Sequence, residues 1–169
     1  MNWDAIAAVG ELLGAAGVIV SLLYLASQLR QNTVAVKTAS AADAAKNMRE
    51  ITGPFLRSPE MSGLISRGFE DPASLGEDEK AWVINAVFNL LRSWETLHFQ
   101  YTHGHAERET FESYERLYRQ YLASPLLSEY WALRQGLFTT RFVSYVNGLA
   151  GGDEGSLRYK QVSDHLGGA

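Results

Sequence analysis

Hydrophobic and polar positions divide the chain into one uniform apolar run followed by a series of amphipathic stretches. The run is Leu12–Leu29, LLGAAGVIVSLLYLASQL, eighteen residues without a charge. At about 1.5 Å per residue it covers roughly 27 Å, close to the hydrocarbon thickness of a bilayer. Core helices of soluble bundles usually carry a polar stripe. Here only Ser21, Ser27 and Gln28 are polar. The pattern predicts a transmembrane helix within residues 1–30.

Beyond the run the periodicity becomes helical and amphipathic. Val34, Ala41, Met48 and Phe55 recur at sevens, the spacing of a narrow seam, and predict a juxtamembrane stalk helix over 31–57. Gly53-Pro54 ends it, because proline lacks the amide and clashes with the preceding turn. Ser58-Pro59-Glu60 is a helix start: serine as cap, proline first, glutamate in the first turn. Ser74-Leu75-Gly76-Glu77 fits a capping box for a long helix that stops at Gly104. Its core stripe is Val83, Val87, Leu90, Trp94, Leu97 and Tyr101, flanked by Ile84, Phe88, Leu91, Glu95 and His98. A further helix over 107–122 turns Phe111, Tyr114, Tyr118 and Tyr121 inward. Ser124-Pro125 repeats the Ser58-Pro59 start grammar and hints at an internal duplication. The following stripe is Leu126, Tyr130, Leu133 and Leu137. Thr139 or Thr140 then caps a last helix with Phe142, Val146 and Leu149 inward. The expected fold is all-α: a single transmembrane helix continuing into a stalk helix, a small helical bundle over 58–150, and a flexible glycine-rich tail over 151–169.

Charge orients the anchor. No lysine or arginine precedes the run, and Arg30, Lys37, Lys46, Arg49 and Arg57 follow it against two acidic residues, Asp43 and Glu50. The positive-inside bias therefore places the N-terminus outside and the bundle in the cytoplasm. A cleaved signal peptide would need a positive n-region, which this sequence lacks. Trp3 suits an interfacial anchor, and Glu11 is near enough to the N-terminus to sit among the outer headgroups rather than act as an intramembrane proton site. Within the run Gly10, Gly14, Gly17 and Ser21 share one helix face, opposite Leu12, Ile19 and Leu23. Such a groove lets backbones approach closely and gain packing energy where lipid gives helices no hydrophobic reason to associate. It predicts contact with a second copy or with a partner membrane protein.

Asn2–Thr33, NWDAIAAVGELLGAAGVIVSLLYLASQLRQNT, resembles the opening of an uncharacterised bacterial family with a tryptophan near the start, a Gly-Glu pair, a small-residue apolar helix and a QxRQNT-like exit. Arg92–Tyr101 and Arg141–Val146 resemble the same family more loosely. The resemblance implies a membrane anchor with a helical C-terminal domain, and it brings no catalytic residue.

Composition removes several chemistries. The chain has 169 residues, enough for one domain besides the anchor, and a net charge of −4 with both signs mixed. A dedicated nucleic-acid surface would show a basic excess. There are no cysteines, so disulfides, thiolate metal sites and cysteine nucleophiles are excluded. Neither a phosphate loop nor a dinucleotide glycine pattern is present, and Asp164-His165 has a serine nearby but no Gly-x-Ser-x-Gly elbow. The sharpest candidate is Glu95-x-x-His98, whose spacing projects both side chains to one side of a helix, as di-iron bundles require. Glu112, Glu115, His103 and His105 are further ligand types, but no second Glu-x-x-His exists. A plain buried Glu–His pair explains the same spacing.

The expectation is a membrane-anchored helical protein without a cofactor, leaning away from an enzyme, that acts through self-association or as an accessory subunit. Its partners are the lipid bilayer and other membrane proteins, not nucleic acid. Three alternatives stand beside it: a ligand- or metal-binding enzyme or sensor using Glu95 and His98, a soluble bundle with Leu12–Leu29 as its core, and a proton-linked membrane protein using Glu11.

Overall fold

A computed structural model of the chain describes residues 2–149. The tail expected over 151–169, with Asp164-His165, lies outside the described residues. Among these the structure is all-helical, with six α-helices and no strand: α1 (Trp3–Thr52), α2 (Pro59–Glu70), α3 (Glu77–Thr102), α4 (Arg108–Leu122), α5 (Pro125–Arg134) and α6 (Thr140–Leu149). Short 3-10 helices at Pro72–Ser74 and Gln135–Leu137 precede α3 and α6. The chain divides into two compact units, 1–39 and 40–169.

The first unit is a single apolar helical segment. Every described side chain from Asn2 to Val36 is exposed. Several of its hydroxyls turn back onto the helix: Ser21 Oγ donates to the Gly17 carbonyl at 2.9 Å, and Thr33 Oγ1 to that of Leu29 at 2.9 Å. Gln28 Nε2 donates to the Tyr24 hydroxyl at 3.0 Å. Back-bonding of this kind satisfies a polar group without water.

The second unit is a bundle built around α3. Its starts and stops follow from local chemistry. Ser58 Oγ accepts from the Met61 amide at 3.2 Å and Ser124 Oγ from the Leu127 amide at 3.3 Å, each with proline next in the chain. The cap of α3 falls two residues later than expected, at Gly76. Ser74 instead donates its hydroxyl to the Asp71 carbonyl at 2.7 Å and closes the 3-10 turn. Glu79 Oε2 reaches back to the Gly76 amide at 2.9 Å, while Arg67 Nη2 donates to Glu79 Oε1 at 2.6 Å and ties α2 to this start. Gly104, with φ +75°, ends α3 in the left-handed conformation that glycine adopts without a Cβ penalty. Gly68 has a packing reason, since a Cβ there would stand 3.3 Å from Val83 Cγ1 where α2 meets α3.

Trp94 is the centre of the core. It is fully buried, stacks on Tyr118 with centroids 4.7 Å apart and planes at 5°, and meets Phe142 edge-on at 5.4 Å and 87°. Its Nε1 is buried without a hydrogen-bond partner among the described residues, so its hold comes from ring packing. Val83, Val87, Leu90 and Leu97 bury as the stripe predicts, joined by Leu91.

Two stripes differ from expectation. In α1 the buried positions of the second unit are Ser40 and Ala44, with Met48 and Ile51 half-buried. This is the 3.6 period of a straight helix, not a strict heptad. Small residues let α1 approach, and Ser40 Oγ donates to Gln100 Oε1 at 2.8 Å. In α5 the buried set is Leu126, Leu127, Tyr130 and Trp131, while Leu133, and Leu137 in the 3-10 helix that follows, are exposed. The helix is only ten residues long and packs against α2, α3 and α4, so it buries two adjacent rows before the chain turns at Gln135.

These differences set a test. Trp94→Ala is expected to destabilise the second unit by about 3–5 kcal/mol, the range for emptying a large aromatic site. Leu133→Ala should change it by less than about 0.5 kcal/mol. Urea unfolding of the full chain in detergent micelles reads both, and equal effects would show that α5 is placed wrongly.

Candidate functional site

The residues singled out by sequence fall in the two units separately. In the first, Gly10, Gly14, Gly17 and Ser21 occupy an arc of about 60° on α1, from the 100° step of the helix. A Cβ built on any of the three glycines meets nothing within 4 Å. Glu11 and Arg30 are exposed on the same helix.

In the second unit, Glu95 and His98 both lie on the buried side of α3, yet no hydrogen bond joins them. Glu95 is a clamp. Its Oε1 accepts from the Thr139 amide at 2.7 Å and the Thr139 hydroxyl at 2.9 Å, and its Oε2 accepts from Arg92 Nη1. The Thr139 carbonyl starts the α6 hydrogen-bond ladder by accepting from the Val143 amide at 2.9 Å. Glu95 therefore supplies negative charge at the positive end of α6. Arg92 completes the fastening: Nη2 donates to the Leu137 carbonyl at 3.0 Å, and its guanidinium lies 5.2 Å and 5.0 Å from the Phe88 and Phe138 ring centres. A residue pair on α3 thus fixes the turn between α5 and α6. With both oxygens engaged, the carboxylate has little capacity left for a metal or a proton relay.

His98 is held differently. It is 6% exposed and stacks on Tyr145, with centroids 4.3 Å apart and planes at 25°. Its other ring neighbours are Phe142 at 5.7 Å and Phe111 at 6.1 Å. Tyr145 is fixed in turn by donating to Glu115 Oε2 at 2.7 Å, while Arg119 Nη2 donates to Glu115 Oε1 at 2.7 Å. Burial, then the Glu115 carboxylate, push the Tyr145 phenol well above its ordinary range. Burial, then the positive charge of Arg141, hold the His98 imidazole below its ordinary pKa; Glu115 and Glu95 pull the other way without overcoming them.

His98 and Glu95 line a pocket of about 280 Å³ together with Arg92, Thr96, Phe99, Thr139 and Arg141. A wider groove of about 490 Å³ runs between the last turns of α1 and the Trp82–Thr96 face of α3. The asparagines that α3 contributes to it are turned back to their own helix, Asn85 Nδ2 donating to the Ala81 carbonyl and Asn89 Nδ2 to that of Asn85, each at 2.9 Å. The smaller pocket is the chemically richer one. The remaining ligand types scatter: Glu112 pairs with Arg108, Glu115 serves Tyr145 and Arg119, and His103 Nδ1 lies 2.8 Å from the Phe99 carbonyl. No group of three or more histidine, aspartate or glutamate side chains gathers as a metal holder among the described residues.

Sequence reasoning missed Thr139 as the partner of Glu95 and Arg141 as the neighbour of His98, because both lie more than forty positions away. One signal marked Arg141: it stands in the first turn of a helix, where the macrodipole disfavours a cation. The chain matches no protein-family model, no curated protein and no solved structure.

Glu95→Ala is expected to cost about 2–3 kcal/mol, most of it from the unsatisfied Thr139 amide, since Arg92 is half-exposed and resolvates. Amide exchange at Thr139 and Val143 should quicken more than exchange in α4; uniform acceleration would contradict the clamp. The His98 pKa shift has its own consequence. The folded state binds its proton less readily than the unfolded chain, whose value is about 6.5. Its contribution to stability is full above that value and is lost as pH falls through the lower folded pKa. Urea midpoints taken between pH 7.5 and 5 should show this loss, and His98→Phe should remove it.

Proposed function

We propose that the chain is a single-pass membrane-anchored helical protein, N-terminus outside and bundle in the cytoplasm, that acts through contacts with other proteins as a self-associating unit or an accessory subunit. The observation that carries this reading is the state of Leu12–Leu29: long and apolar enough to cross a bilayer, and exposed at every described side chain. A stretch of that kind serving as a soluble core would be buried. The internal bonding of Ser21, Gln28 and Thr33 suits a segment surrounded by lipid. The basic excess from Arg30 to Arg57 supports the cytoplasmic side for the bundle and suits anionic headgroups. The open glycine face supports a second transmembrane helix as the first partner.

Alkaline carbonate extraction tests the anchor: the protein should stay in the membrane pellet, and release into the supernatant would sink the reading. Because the chain has no cysteine, a single introduced thiol reports sidedness. Asn2→Cys should react with an impermeant maleimide on intact cells, and Glu109→Cys only after lysis. Gly14→Ile should weaken self-association in liposomes by about 1–2 kcal/mol, measured by energy transfer between labelled copies. Unchanged transfer would remove the glycine face from the proposal while leaving the anchor standing.

A further inference from the structure

The pocket between α3 and the start of α6 is lined by two polar side chains, His98 and Arg141, that make no hydrogen bond or ion pair with another side chain among the described residues. His98 is 6% exposed and forms no hydrogen bond among the described residues, although its ring lines the pocket. Its ring nitrogens are not among the buried unpartnered polar atoms, so they are reached from the pocket by water or by a ligand that enters it. Arg141, an exposed residue, lines the rim of the same pocket and makes no ion pair among the described residues, in a helical turn that disfavours its charge. Glu95 does not answer either of them, being spent on Thr139 and Arg92. Since Arg92 and Glu95 cancel, the charge remaining in the pocket is that of Arg141. The depressed His98 pKa keeps the imidazole neutral near pH 7, with one N–H to donate.

We propose that this pocket binds a small organic carboxylate, with the Arg141 guanidinium and the His98 imidazole taking its oxygens and the Phe99 ring covering its carbon part. A guanidinium fork matches the planar two-oxygen group, and one uncompensated positive charge matches a monoanion rather than a phosphate dianion. The volume, about 280 Å³, sits at the lower edge of ligand pockets and suits a molecule the size of benzoate. The site is independent of membrane anchoring.

The test uses the full chain in detergent micelles at pH 7.5, titrated with benzoate while the His98 ring resonances are followed, with His98→Phe providing their assignment. The expected result is a saturable shift of those resonances with a Kd on the order of 1 mM. Affinity should fall at least about tenfold in Arg141→Gln, a surface change that leaves the core intact, and stay unchanged in Arg134→Gln, outside the pocket. Three results would overturn the proposal: no saturable shift, equal binding of the neutral analogue benzamide, or undiminished binding in Arg141→Gln. A response to inorganic phosphate and not to benzoate would overturn the carboxylate assignment.

Discussion

Water's intolerance of the first helix governs everything else about this protein. Between Leu12 and Leu29 ten large apolar side chains, among them Leu12, Ile19 and Leu25, are more than half exposed. Covering one such side chain is worth about 1.5–3 kcal/mol. The stretch as a whole therefore outweighs the roughly 5–15 kcal/mol by which a folded domain is stable. An energy of that size dictates the surroundings of the helix, whether lipid or another protein. The backbone is already satisfied by the helix, Ser21 back-bonds to Gly17 and Gln28 bonds to Tyr24, so the segment asks mainly for an apolar neighbour. That is the condition a bilayer meets.

The second unit rests on different physics. Its core is aromatic, with Trp94, Tyr118, Phe142 and Trp131 buried together. Rings of this size bury much area with few rotatable bonds, which suits a bundle assembled from helices as short as α5 and α6. Short helices have little stability of their own. The polar clamp of Glu95, Arg92 and Thr139 is the complement to this packing, because rings alone do not fix where a ten-residue helix begins. A carboxylate against the Thr139 amide, just ahead of α6, does. Trp94 and Glu95 are neighbours in the chain, so one turn of α3 contributes both the centre of the packing and the register of α6.

Most of this architecture was legible in the sequence because its signals are local. Ser58-Pro59 and Ser124-Pro125 begin helices where the grammar says they should, and Gly104 ends α3. The α3 stripe from Val83 to Leu97 buries as its spacing predicts. The misread positions required knowledge of neighbours. The α5 stripe failed at Leu133 because the helix packs on several partners at once, and periodicity counts only one face. The α1 seam moved from Ala41 to Ser40 and Ala44 because a straight helix meets α3 there. The cap of α3 shifted to Gly76 because Arg67, earlier in the chain on another helix, holds Glu79 in place. In the site, Glu95 and His98 were picked out together by spacing. The structure gives them separate partners, and those partners come from the far end of the chain.

The separation of Glu95 from His98 changes how the pocket is understood. A sequence specifies one structure when every local choice agrees with the global fold, and the disagreements that remain concentrate at functional or strained places. Three disagreements occur close together here: a buried carboxylate, a buried histidine, and an arginine at the positive end of a helix. The first dissolves once Thr139 and Arg92 are in view, since every oxygen of Glu95 is used by the fold. The other two do not dissolve. Nothing in the packing of Phe111, Phe142 and Tyr145 requires an imidazole where a phenyl ring would serve, and nothing in α6 requires a cation at its second residue. Arg141 is exposed and the His98 ring lines the pocket, so an anion entering there would meet both at once. The carboxylate of Glu95 is engaged by Thr139 and Arg92, which leaves that position to the small carboxylate proposed for the pocket.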